Sequence, residues 1–214
     1  MTTASFSIQI DQNDMRKVEE MLSDIQKAPA KVTTRALNKT LTGVRTDASS
    51  AIREVITASK SAVDGTFRIQ KASENRVEAW ISSTGKRLPL SAYSVRQTKK
   101  GVSVHVKRVN PRKVIPGTFI ATMKSGHTGV FERGARKPMM ATWHGQTGQQ
   151  PKRPNMNYGR LPKKYRLPIQ ELFGLRVPDV MVYEPTMTTI LKQANERLHK
   201  NLMHEMDFEL SKHK

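Results

Sequence analysis

The sequence predicts an α+β protein: a mainly antiparallel sheet of about four to six strands, packed with a long N-terminal helix and a C-terminal helix, plus a long basic loop. Three observations carry that expectation. Apolar residues recur at helical spacings before residue 60 and after residue 185; between residues 66 and 133 the period changes to two; and residues 134 to 166 have no apolar period at all.

The helices come first in the chain. From Asp11 to Ala28, Met15, Val18, Leu22 and Ile25 fall three or four apart, with Asp11 placed to cap the start. Pro29 suits a first turn, and a second helix is expected from about Ala30 to Ser59. At about 100° per residue, Leu37, Leu41, Val44, Ala48, Ala51, Ile52 and Val55 share one side of it, while Lys31, Arg35, Lys39, Arg53 and Lys60 share the other. The apolar side calls for a sheet or a neighbouring chain. The cationic side is either an ordinary solvated face or a basic ridge of single sign.

The strands follow. "TFRIQK" and "NRVEAWISS" read as an antiparallel pair with Val77, Ala79 and Ile81 on one face. "YSVRQTKKGVSVHVKRV" alternates, Val102, Val104 and Val106 on one face and Ser103, His105 and Lys107 on the other, with a turn at Lys99, Lys100 and Gly101. "GTFIATMKSGHTGVFER" makes two more strands around Gly126. Leu167 and Ile169 read as a final strand. Pro178 and Pro185 each suit the opening of a helix, and the last helix, about Pro185 to Leu210, is expected to bury Met187, Leu191, Ala194, Leu198, Leu202 and Met206.

The 214 residues fit a single domain spanning 1–214, with 134–166 a basic, Gly/Pro-rich arm inserted between strands. A structureless run of about thirty residues is rare in a compact domain unless it serves a function, so this arm is read as a segment that orders on a partner. With no cysteine, neither disulfides nor thiolate metal sites are available. The start "MTTASFSIQIDQND" has no signal-peptide pattern and no apolar run reaches membrane-spanning length, so the expectation is a protein made in a cytosol, with no membrane partner.

Charge is the most informative quantity. Residues 86 to 166 hold nineteen Lys and Arg against one acid, Glu132, while the other 133 residues hold eighteen cations against seventeen acids. Solubility alone would spread the charge; concentrating it calls for a polyanion or an acidic partner surface. Lys99, Lys100, Arg136, Lys137, Lys152, Arg153, Arg160, Lys163, Lys164 and Arg166 are the candidate contacts to DNA or to a partner protein. Trp143, Tyr158 and Tyr165 lie among them, suited either to the same surface or to packing against a neighbouring subunit. No base-reading module stands out, so any nucleic-acid contact is expected to be sequence-independent, through phosphates.

Catalysis is not expected. None of the six histidines forms a metal-ligand spacing, and no cofactor is implied. His127 with Glu132 could be drawn as an acid–base pair on a bound polyanion, but a metal-dependent phosphodiesterase needs two or more carboxylates and the basic block supplies one. Glu132 is read instead as a structural counter-ion on a strand, relieving like-charge repulsion across a sheet whose other strands carry Lys107 and Lys124.

"GVFERG", then "LPIQELFGLRVPDVM" beyond the arm, together with the early "TRALNKTLTGVRTDAS", resemble the phage minor tail protein Z family. The matching positions are Gly129, Val130, Phe131, Arg133, Leu167, Pro168, Ile169, Glu171, Leu172, Gly174, Val177 and Pro178; the departure is Leu175-Arg176, where the family pattern carries Pro-Ser. The resemblance implies a non-enzymatic virion component of a long-tailed bacteriophage, completing the head-proximal end of the tail after assembly in the host cytoplasm. Such a part forms a closed ring with itself, commonly a hexamer. Its implied partners are the tail tube or tail terminator, the neck proteins, and the double-stranded phage DNA. The competing expectation, from charge alone, is a free sequence-independent nucleic-acid-binding protein.

Overall fold

A computed structural model describes residues 4–8, 10–23, 25, 28–133 and 169–212. The order is β1 (Ala4–Ile8), α1 (Gln12–Met21), α2 (Ala28–Val55), α3 (Lys60–Asp64), β2 (Phe67–Gln70), β3 (Ala79–Ser83), β4 (Arg87–Pro89), a 3₁₀ turn (Leu90–Ala92), β5 (Ser94–Thr98), β6 (Gly101–His105), β7 (Lys113–Pro116), β8 (Thr118–Thr122), β9 (Thr128–Arg133), β10 (Ile169–Glu171), β11 (Phe173–Arg176), α4 (Val177–Met181) and α5 (Glu184–Lys212). The class is α+β with antiparallel pairing. The strands are shorter than the expected single sheet requires and divide into triplets β1-β3-β2, β5-β6-β7 and β8-β9-β10, with β4 paired to β11. The chain forms two compact units, the first Met1–Leu88 with Lys107–Val109 and Leu175–Lys214, the second Pro89–Val106 with Asn110–Gly174.

The first unit is built on α2 and α5. They run antiparallel: Lys31 and Arg35 reach Glu209, Lys39 reaches Glu205, Asn201 donates to Thr40 and Arg197 meets Asp47. Leu37, Leu41, Val44, Ala48, Ala51 and Ile52 are buried as expected, with Val55 half-buried. Each fully buried Leu or Ile there contributes about 1.5–3 kcal/mol. The expected Asp11–Ala28 helix is shorter than that: α1 stops at Met21 with Leu22 as its C-cap, and Ala28 instead opens α2, with Pro29 in the first turn where its missing N–H costs nothing. Asp11 caps α1 as anticipated, accepting from the Gln12 amide at 2.8 Å. Val18 and Leu22 then close over Val32, Ala36, Leu202 and Met206. At its far end α2 stops at Val55 rather than Ser59, whose hydroxyl instead caps α3 by accepting from the Ala62 amide.

Two corrections concern these helices. The anticipated single-sign ridge is not one: Lys31, Arg35 and Lys39 are matched by Glu209 and Glu205 of α5, and Lys60 lies on α3 beside Asp64. On α5 the buried residues are Thr186, Ile190, Ala194, Leu198, Leu202, Met206 and Glu209, whereas Leu191 is exposed and Met187 half-buried. Spacings of four advance the buried line by about 40° per step, so the seam winds away from the three-and-four stripe read from the sequence.

The second unit joins β5-β6-β7 to β8-β9-β10 through side chains. Thr118 on β8 donates its hydroxyl to the Ile115 carbonyl at 2.7 Å and accepts from the Val102 amide at 3.0 Å, while Gln97 on β5 accepts from the Ile120 amide at 2.9 Å. Val102 and Val104 face the interior as the alternation predicts; Val106 lies beyond the strand. The β5–β6 hairpin turns on two residues, Lys99 and Lys100, and Gly101 follows at φ 150°, where a Cβ would stand 2.0 Å from the Ile115 carbonyl oxygen. Only glycine satisfies both demands.

Candidate partner-binding surface

The sheet β8-β9-β10 brings the two halves of the conspicuous sequence pattern together. β9 and β10 are hydrogen-bonded neighbours, Arg133 opposite Ile169, Glu132 opposite Gln170 and Phe131 opposite Glu171. Thus the segment between them leaves and returns at adjacent strand ends. A Cβ at Gly129 would lie 2.9 Å from the Phe131 ring and 2.7 Å from Glu171 Oε1, so a larger residue there obliges that ring and the Glu171 carboxylate to shift. That carboxylate meets His127 Nε2 at 2.8 Å, and the His127 ring stands edge-on to Phe131. His127 therefore pairs with Glu171, not with Glu132 as the drawn acid–base pair requires. Arg133 stacks over Phe119 at 5.0 Å.

Glu132 is 8% exposed on the central strand, between Thr118 of β8 and Gln170 of β10. Lys107 and Lys124 are not on strands of this sheet: Lys107 makes an isolated bridge to Ile56, and Lys124 lies in the β8–β9 turn. The residues directly opposite Glu132 are thus Thr118 and Gln170, and the expected lysines do not face it across the ladder.

The sheet β5-β6-β7 carries the described part of the cationic surface. Ser94, Arg96 and Thr98 share a face with His105, Ser103 and Val114 through the strand register. Arg112, just before β7, donates to the Ser94 hydroxyl, which fixes its guanidinium above the same face. Arg96, Gln97, Thr98, Lys99, Ser103 and Arg112 line an open cleft of about 610 Å³. Arg96, Lys99, Lys100 and Arg112 are exposed, and none makes an ion pair with a described residue. Lys99 and Lys100 stand at the hairpin tip as candidates. Arg96 and Arg112 were missed, although the alternation of β5 against β6 already places Arg96 beside Ser103. Arg136, Lys137, Lys152, Arg153, Arg160, Lys163, Lys164 and Arg166 lie outside the described residues.

Glu209 is displaced from its ordinary behaviour. Burial of Glu209 pushes its carboxyl up, but the Lys31 hydrogen bond and the charges of Lys212, Lys31 and Arg35 outweigh it and hold the group below its usual 4.5. This is helix-pairing chemistry rather than a reactive centre. Among the described residues no group of three His, Asp or Glu stands close enough to hold a metal ion, and no helix is long and apolar enough to cross a membrane.

The family model described as prophage minor tail protein Z matches residues 15–213 of the 214. The chain belongs to the prophage minor tail protein Z family. It is accordingly a bacteriophage minor tail protein, a structural part of the virion tail that works in contact with other tail components. No curated protein and no solved structure matches the chain. The family positions noted in the sequence now have places in the fold: Gly129, Val130, Phe131 and Arg133 are on β9, Ile169 and Glu171 on β10, Gly174 on β11, and Val177-Pro178 open α4. Leu167 and Pro168 lie outside the described residues. The departing residue Arg176 occupies the N-cap of α4 in the extended conformation a cap needs, yet makes no side-chain capping bond. A serine at this position would supply that acceptor.

Proposed function

We propose that this minor tail protein completes the head-proximal end of a phage tail, assembling with itself into a ring, a hexamer if it follows the tube, against the tail tube or terminator on one side and neck proteins on the other. Assembly takes place in the host cytoplasm, and the protein acts without catalysis or cofactor. The observation that carries the reading is the division of charge. The second unit, Pro89–Val106 with Asn110–Gly174, has fifteen Lys and Arg against Glu132 and Glu171, a net of +13 out of +19. So one-sided a unit is stable next to a surface of opposite sign and self-repelling elsewhere. The first unit offers material for protein contact, with Val182 60% and Tyr183 56% exposed where α4 meets α5. Large apolar groups left in water at such a corner favour burial against a neighbour.

Electron microscopy of purified tails carrying a tag on this chain tests the reading. A single ring of density at the head-proximal end, with the tube's rotational symmetry, is expected. Density along the whole tube or at the distal tip overturns the placement. Recovery of the chain only outside particles, bound to nucleic acid, favours the free-binding alternative.

A further inference from the structure

We infer that the cleft on β5-β6-β7, formed by Arg96, Lys99 and Arg112 with the hydroxyl of Ser103, seats the phosphate backbone of duplex DNA without reading its sequence. The inference deepens the proposed placement at the end of the tail by assigning a polyanion to a particular surface. It starts from the chemistry of the groups. Two guanidiniums and an ammonium supply fixed positive charge; the Ser103 hydroxyl among them can donate a shorter-range bond, whereas that of Thr98 is already given to the Gly101 carbonyl at 2.7 Å. Arg, Lys, Ser and Thr are the side chains that contact phosphate and sugar oxygens, holding a duplex in position without reporting its bases.

Geometry adds to composition. Arg112 is anchored on the Ser94 hydroxyl, and Ser94 lies two residues from Arg96 on the same face of β5. Same-face residues of a strand are about 6.7 Å apart, about twice the axial step between successive phosphates of one DNA strand. Cations rooted at that spacing suit successive phosphates of one backbone better than a single anion. Lys99 continues the row at the hairpin tip, with Lys100 next to it. No described carboxylate forms an ion pair with any of these groups, so their charge is available to a ligand.

An acidic protein face is the other class of partner, and the lining argues against it. Stable protein interfaces centre on aromatic and apolar residues with charge at the rim. This cleft is lined by Arg, Lys, Gln, Thr and Ser side chains and no aromatic, with Val114 the apolar neighbour on the same face.

The test uses the full chain and a short fluorescein-labelled duplex of random sequence, with affinity followed over a salt series. In Arg96→Gln with Arg112→Gln, affinity should fall at least about tenfold and the log–log salt slope by about one for each residue changed. Lys192→Ala with Lys200→Ala removes the same charge from exposed positions on α5 and should leave both quantities near wild type. Equal losses in the two double variants, or none in either, overturn the site. So does tighter binding of the wild type to poly-glutamate than to the duplex. If the double variant unfolds, Arg96→Gln alone decides, since that side chain is exposed and makes no ion pair with a described residue. Tail incorporation is scored separately: a chain built into tails that binds no duplex refutes the cleft and leaves the placement standing, while a duplex-binding chain absent from tails does the reverse.

Discussion

Glu209 shows how much a single side chain can depend on residues far away in the chain. Its carboxylate is 5% exposed and is met by Lys31, Arg35 and Lys212 at 3.4, 3.2 and 3.6 Å. Because its folded pKa lies below the ordinary 4.5, the stability it contributes is fully present above pH 4.5 and is lost as pH falls through the folded value. The thermal midpoint of Glu209→Gln should therefore lie below wild type at neutral pH, by about 1–2 kcal/mol in stability given partners that remain partly solvated. The gap should close as the buffer is taken below pH 4.5; a gap constant with pH would mean the carboxylate charge is not what holds the helices. None of this was legible beforehand, since Lys31 and Glu209 are 178 positions apart. Asp11, whose cap is formed with the next residue, was legible because nothing distant is involved. Glu132 is intermediate: its strand was foreseen, its neutral neighbours Thr118 and Gln170 were not. We expect Glu132→Gln to lower the melting temperature by a few degrees with tail incorporation retained, as a structural role for the charge demands. Normal stability with lost incorporation would move Glu132 from the framework to a working surface.

At the scale of elements, the period of two was a reliable guide and the period of 3.6 less so. β6 alternates because Val102 and Val104 pack inward while Ser103 and His105 are only half-buried, whereas β5 is exposed at Ser94, Arg96 and Gln97. A strand offers two sides, and the valines choose between them. A 29-residue helix offers a continuum of faces, and α5 buries the line through Ile190 rather than Leu191, a choice fixed by what it packs against and not contained in the local pattern. The difference can be measured in a neighbouring pair. Ile190 is 0% exposed and Leu191 41%. Ile190→Ala should destabilise by about 2–5 kcal/mol through lost burial and a residual cavity; Leu191→Ala should cost under about 1 kcal/mol. Chemical denaturation of the two variants gives the comparison directly, and similar losses would mean that the seam runs through Leu191 as well.

For the whole molecule, the charge map and the strand order together separate what folds the chain from what the chain acts through. The asymmetry was plain from composition: a basic block beside a balanced remainder. The topology adds that residues 134–168 join two strands that are already paired, Arg133 opposite Ile169. A two-residue Asn-Gly turn can close such an antiparallel pair, so replacing the 35 residues 134–168 by that turn should leave the ladder and both compact units intact. The replacement removes eight cations and no acid, taking the net charge from +19 to +11. If the segment is an arm that works on a partner, the shortened chain should be soluble, keep its circular dichroism and melt within a few degrees of wild type, yet fail to complete tails when it is the only copy supplied. Loss of the folded state would instead make the segment part of the core, and normal tails would transfer its supposed role to the cations of β5-β6-β7. The result turns on a register of strands rather than on any single side chain, because paired strand ends allow a long insertion to be removed without asking the rest of the fold to move.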